Sequence, residues 1–154
     1  AYAHREDVVH RDIKPANIMY HPESGDLKIT DFGIARITSS SKTKTGIVLG
    51  TPSYMSPEQL AGKNVTGRSD LFSLGVTLYQ LLAGQLPFRA DSMATLMYKI
   101  ANEPHTPLSV VRPELPPCLE AVVDRALAKS LDERYESGAQ MALELRECRA
   151  ALAA

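Results

Sequence analysis

Between Leu71 and Gly84 the chain is apolar at most positions, with Ser73, Thr77 and Gln80 as its polar breaks. Taken from Ser69 to Ala83, the segment puts apolar side chains on nearly every face of a 3.6-residue helix. That pattern predicts a helix buried all round, the central post of a domain. Ser69 is the N-cap of this reading and Gly84 its stop. The same stretch is too short and too interrupted to cross a bilayer. Three further helices follow from the pattern. Asp91 to Asn102 is amphipathic. Leu119 to Lys129 follows a proline-rich connection over 104–117, with Pro117 suited to its first turn. A fourth runs from Ser137 to about Ala150, opened by Ser137-x-x-Gln140 in capping-box form.

The first third has a different rhythm. Val8-Val9 and Ile18-Met19-Tyr20 are brief β-type runs flanking a polar loop. His21 to Asp26, with Pro22 and Ser24-Gly25, predicts a turn, and Leu27-Lys28-Ile29-Thr30 alternates apolar and polar. A hairpin between 18–20 and 27–30 is the expectation. Thr38 to Thr45 is almost wholly Ser, Thr and Lys, without periodicity or apolar anchor, and reads as a mobile loop. No internal repeat appears. The outline is mainly α, with a small β hairpin region at one end.

Composition adds little beyond size and class. At 154 residues, 44% hydrophobic and 23% charged, the chain suits one globular domain with a real core. Seventeen basic against eighteen acidic side chains leave a net charge of −1, which argues against a nucleic-acid surface as the main function. Cys118 and Cys148 are too few and too far apart for a metal cage or a disulfide framework, so reduced structural thiols in a cytoplasmic protein are expected. His4, His21 and His105 have no metal-ligand spacing and read as ordinary surface residues. No signal peptide is visible, and no membrane contact is expected from this chain.

The chemistry lies in three motifs in fixed order. His10-Arg11-Asp12-x-Lys14-x-x-Asn17 comes first, then Asp31-Phe32-Gly33, then Gly50-Thr51 through Ser56-Pro57-Glu58. The set resembles the eukaryotic-type (Hanks-type) serine/threonine protein kinases, in a bacterial-like form. HRDIKPAN is similar to that family's catalytic loop, DFG to its metal-binding turn, and GTPSYMSPE to its substrate-facing loop. Phosphoryl transfer passes through a loose, highly charged transition state, so positioning and charge neutralisation supply most of the rate. The resemblance implies that Asp12 accepts or orients the proton of the attacking hydroxyl and that Lys14 sits near the γ-phosphate. It implies ATP as cofactor, with Asn17 and Asp31 as hard oxygen ligands for Mg²⁺, or for Mn²⁺ in its place. Thr51 belongs to the substrate loop, and protein substrates are the implied partners.

Further positions take structural roles by the same resemblance. Asp70 would hold the catalytic-loop backbone, and Glu58 and Arg134 would form a buried ion pair tying the substrate loop to the last helices. Arg11, directly before Asp12, goes with control by activation-loop phosphorylation, with Thr43 and Thr45 as the phosphoacceptors and Ser39 to Ser41 behind them. The family's Ala-Pro-Glu is Ser56-Pro57-Glu58 here, and its Asp-Pro ahead of the arginine is Ser130-Leu131.

No two glycines are separated by one residue, so no G-x-G-x-x-G loop covers a phosphate, and no Val-Ala-Ile-Lys-like strand is present. The resemblance therefore covers the C-terminal (large) lobe without the N-terminal lobe. On this reading 1–37 hold the catalytic loop, hairpin and DFG turn, 38–58 the activation segment and 59–154 a helical subdomain. For these residues alone, very weak ATP binding and negligible turnover are expected, and the β patch over 8–33 should expose apolar surface that the N-terminal lobe would cover. That lobe would be lost by truncation or supplied in trans. The alternatives are a non-catalytic docking or scaffold lobe, using 88–117 and the substrate loop, or one half of a split kinase.

Overall fold

The computed structural model describes residues 1–6, 8–30 and 52–153. It is mainly helical. In chain order it has α1 (Tyr2–Arg5), a 3₁₀ turn (Pro15–Asn17), β1 (Ile18–Tyr20), β2 (Leu27–Ile29) and a second 3₁₀ turn (Pro52–Tyr54). Then follow α2 (Pro57–Leu60), α3 (Gly67–Ala83), α4 (Met93–Asn102), α5 (Leu108–Val111), α6 (Pro117–Ala126) and α7 (Gly138–Ala153).

The long helix α3 is the post around which the rest is built. Phe72, Val76 and Tyr79 enter one core with Phe88, Ile100, Leu108, Val123 and Leu127. Leu71 enters a second, with Val122, Ala126, Tyr135 and Met141. One helix can serve two cores only if it is apolar on more than one face, which is what its sequence provides. Gly75 sets the approach of α6: a Cβ there would stand 2.7 Å from Ala126 Cβ, so the two helices meet where one has no side chain.

Local signals and tertiary contacts divide the helix ends between them. Gly84 closes α3 in the left-handed conformation, φ 76°, its N–H reaching Gln80 O. Its N-cap, however, is Thr66 and not Ser69: Thr66 Oγ1 accepts from Arg68 N, while Ser69 sits one turn inside and its hydroxyl accepts from Thr66 N. Ser69 is displaced from the cap because its Oγ donates to Glu58. At α7, Ser137 Oγ accepts from Gln140 N at 3.1 Å, and the Gln140 side chain accepts from Glu136 N.

The β region is an antiparallel hairpin, with Ile18 opposite Ile29, Met19 opposite Lys28 and Tyr20 opposite Leu27. Gly25, at φ 76°, lets the turn close with His21 N on Asp26 O. Val8-Val9 is not a strand: β-branched residues need a partner to form a ladder, and no described strand lies beside them. Met19, Tyr20, Leu27 and Ile29 are all exposed on the hairpin.

The cysteines depart from the reading as free thiols. Cys118 and Cys148 form a disulfide with Cα atoms 5.7 Å apart, joining the first turn of α6 to α7 across 30 residues. The antiparallel packing of those helices brings together what the spacing alone kept apart. The histidines differ too. His4 donates to Asp70, and His105 pairs with Asp124 at 2.8 Å with its ring edge-on to Tyr79 and Phe88. His21 alone of the three is exposed without a printed side-chain partner among the described residues. No described helix is long and apolar enough to cross a membrane.

Candidate active site

The loop from His10 to Asn17 is held from below by one carboxylate. Asp70, in the first turn of α3, accepts His10 N at 2.7 Å on Oδ2 and Arg11 N at 2.8 Å on Oδ1. His4 Nε2 reaches Oδ2 at 2.8 Å. Those bonds hold Arg11 at φ 72°, a left-handed backbone that a residue with a Cβ rarely adopts. The turn that results aims Asp12 back into the protein, where it is buried.

His10 locks the loop from the other side. Its Nε2 donates to Thr30 O at 2.5 Å and its Nδ1 accepts from Asp12 N at 3.1 Å, so the ring bridges the loop and the end of the hairpin. A carbonyl can only accept, which assigns the ring proton to Nε2.

Asn17 then fixes the acid. Its Nδ2 donates to Asp12 O at 2.8 Å and to Asp12 Oδ2 at 3.2 Å. With the amide nitrogen so committed, Oδ1 is the atom that faces away from Asp12, and it is a hard oxygen donor of the type Mg²⁺ takes. Lys14 Nζ lies 3.6 Å from Asp12 Oδ2. Thr30 bonds Asn17 O through both its N–H and its hydroxyl, tying the site to β2. A carboxylate, an ammonium and an amide oxygen thus converge at the mouth of one rigid turn.

The second buried cluster lies beneath the loop. Arg134 Nη1 and Nη2 pair with Glu58 Oε2 and Oε1 at 2.7 and 3.1 Å. Burial by itself would raise the Glu58 carboxyl, but hydrogen bonds from Arg134 and Ser69 and the Arg134 charge outweigh it and hold it below the usual carboxylate range. Gln59, next to Glu58, donates to Arg11 O at 3.1 Å, so α2 is fastened to the catalytic-loop backbone.

Sequence reasoning overlooked His4, Gln59 and Ser69 as members of these networks. Gln59 had a legible signal: Ser56-x-x-Gln59 is a capping box, and the structure shows both of its bonds. His4 had none, because its partner lies 66 residues away. Asp31, Phe32, Gly33, Thr43, Thr45 and Thr51, together with Ser39 to Ser41, lie outside the described residues.

The pattern described as the protein kinase domain matches residues 1–145. The chain belongs to the protein kinase family. It is 45% identical over 151 residues to a probable serine/threonine-protein kinase of Streptomyces coelicolor, which covers 96% of this chain and 22% of that protein. It is 44% identical over 147 residues to the serine/threonine-protein kinase PknB of Mycolicibacterium smegmatis, 94% of this chain and 23% of that one. A serine/threonine-protein kinase of Myxococcus xanthus is 44% identical over 140 residues, 88% of this chain and 20% of that one. The kinase chain described here thus spans less than a quarter of the length of these curated relatives.

Proposed function

We propose that the protein carrying this chain transfers the γ-phosphoryl group of ATP to serine or threonine side chains of protein substrates. The observation that carries this reading is the buried cluster of Asp12, Lys14 and Asn17 on a backbone held at Arg11 by Asp70. In it Asp12 accepts a hydrogen bond from the substrate hydroxyl and takes its proton as the oxygen attacks phosphorus. Lys14 donates to the transferring phosphoryl oxygens and offsets the charge that builds on them. Asn17 Oδ1 and Asp31 would hold Mg²⁺, for which Mn²⁺ can stand in, and the metal supplies charge neutralisation between the phosphates. Asn17 also keeps Asp12 oriented through Nδ2, so it serves both halves of the site.

The finer assignments belong to the same proposal. These residues are read as the C-terminal lobe of the kinase, with Thr51 in the substrate loop and Thr43 and Thr45 as activating phosphoacceptors whose phosphates Arg11 would pair. ATP as substrate places the reaction in the cytoplasm. The 154 residues contain no G-x-G-x-x-G loop, and the hairpin exposes Met19, Tyr20, Leu27 and Ile29. Both features support weak nucleotide binding and negligible turnover when these residues act without an N-terminal lobe.

The test is phosphate incorporation read by intact mass, with Mg²⁺ and ATP, on this chain alone and joined to an N-terminal kinase lobe. Transfer by the joined form, reduced at least about a hundredfold by Asp12→Asn, supports the assignment. Transfer unaffected by Asp12→Asn would sink it. Equal transfer by the chain alone would remove the need for a second lobe.

A further inference from the structure

A cavity of about 560 Å³ opens beside the catalytic loop, lined by Lys14, Pro15, Ala16, Tyr54, Gln80 and Leu81. Lys14 belongs to both places, since its Nζ also lies 3.6 Å from Asp12 Oδ2. A lysine side chain reaches about 6 Å, the length of about two residues of extended peptide at ~3.3 Å each. A peptide with its hydroxyl at Asp12 therefore has a near neighbour within reach of this cavity.

The chemistry of the walls decides which neighbour fits. None of the six residues is acidic. The Tyr54 hydroxyl donates to Gln80 Oε1 at 2.5 Å, so the acceptor atom of that amide is engaged and its N–H groups are what it has left to offer. Burial raises the Tyr54 phenol above its ordinary value, so it stays a neutral donor. Ser73 Oγ donates to Tyr54 O at 2.5 Å and so fixes the position of Tyr54 on the central helix. Pro15, Ala16 and the 71%-exposed Leu81 supply apolar surface. A guanidinium or ammonium entering here meets donors and the Lys14 charge, with no carboxylate to replace its lost water. An aliphatic side chain covers Leu81 and loses nothing.

We propose that this cavity is a substrate subsite that takes an apolar side chain within about two positions of the phosphoacceptor and rejects lysine and arginine there. Gln80 and Leu81 are its specificity-determining residues. The proposal rests on the phosphoryl-transfer reading above and adds the class of peptide that the site prefers.

The experiment uses serine and threonine peptides with Leu, Gln, Glu or Arg placed in turn at each position flanking the phosphoacceptor. Transfer is measured with the kinase that carries this chain together with its N-terminal lobe, and binding of the same peptides by fluorescence anisotropy. At one flanking position Leu is expected to exceed Arg by about fivefold or more in kcat/KM. Gln80→Glu keeps an acceptor for the Tyr54 hydroxyl and adds a carboxylate, so it should narrow or reverse that ratio. Leu81→Ala, at an exposed position, should reduce the advantage of Leu without restoring Arg. Equal transfer across the panel, a preference for Arg or Glu at every position, or a Leu preference untouched by both variants would overturn the subsite. Failure to bind any peptide would overturn it as well. Selective binding with no transfer to any peptide would instead remove the kinase reading and leave the subsite standing.

Discussion

Arg134 and Glu58, 76 residues apart in sequence, form a bidentate ion pair in which every guanidinium N–H has an acceptor. Nη1 bonds Glu58 Oε2 and Arg68 O, Nη2 bonds Glu58 Oε1 and Lys129 O, and Nε bonds Ala128 O. Arg134 is only 1% exposed, and its guanidinium stands 5.1 Å from the Phe72 ring centroid. One side chain thereby joins α2, the start of α3 and the loop after α6.

Removing the arginine should therefore cost more than a surface charge would. Arg134→Met leaves Glu58 buried without its cation and is expected to destabilise the protein by about 3–5 kcal/mol in urea unfolding. Arg134→Lys should recover only part of that, because a lysine has three donors on one atom and cannot span the fork. Full recovery by lysine would show that charge alone matters here. A double change, Arg134→Met with Glu58→Leu, should be milder than Arg134→Met but remain below the parent, since the carbonyls of Ala128, Lys129 and Arg68 lose their donor.

The same pair carries an acid limb. The folded Glu58 carboxyl lies below its unfolded value of about 4.3, so the unfolded state binds the proton more readily. Its stabilising contribution is complete above the unfolded value and is lost as pH falls through the folded one. The stability gap between the parent and Glu58→Gln should accordingly be constant near neutrality and shrink below about pH 4. A gap independent of pH across that range would contradict this account.

Asp70 supports the loop by accepting from His10 N, Arg11 N and His4 Nε2. Asp70→Ala strands two backbone donors beneath a left-handed Arg11, and a loss of about 2–4 kcal/mol is expected. Amide hydrogen exchange should localise the effect, with Arg11 losing protection before residues of α7. Asp70→Asn, which keeps one acceptor oxygen, should fall between. A uniform loss of protection in all three proteins would mean that Asp70 supports the fold generally and not this loop.

The disulfide between Cys118 and Cys148 closes a loop of 30 residues. By the loop-entropy relation, reduction should remove about 3–4 kcal/mol, seen as a lower Tm with reductant. Cys148→Ser should show the same lowering without reductant and no further change with it. Identical melting of oxidised and reduced protein would show that α6 and α7 are held by the Leu71, Val122 and Met141 core alone.

Much of this molecule is legible from short-range pattern. The buried helix α3 follows from apolar residues on every face, and the hairpin follows from alternation around a turn containing Gly25. The left-handed stop at Gly84 is equally local. The order of the three motifs points to phosphoryl transfer because each residue type has one role that suits it, and the spacing of Asp12, Lys14 and Asn17 lies within a single turn. These signals survive in sequence because the interacting atoms are within a few residues of each other.

Other features depended on where distant segments came to rest. The sequence by itself marked Ser69 as a cap, and the approach of Glu58 drew its hydroxyl away and left the cap to Thr66. It marked His4 and His105 as surface residues, and helix packing supplied each with a carboxylate. It separated Cys118 from Cys148, and the antiparallel run of α6 against α7 joined them. The physical reason is the same in each case. Periodicity and caps are set by neighbours along the chain, whereas a pairing across tens of residues is set by which helix faces meet, and sequence distance carries no measure of that.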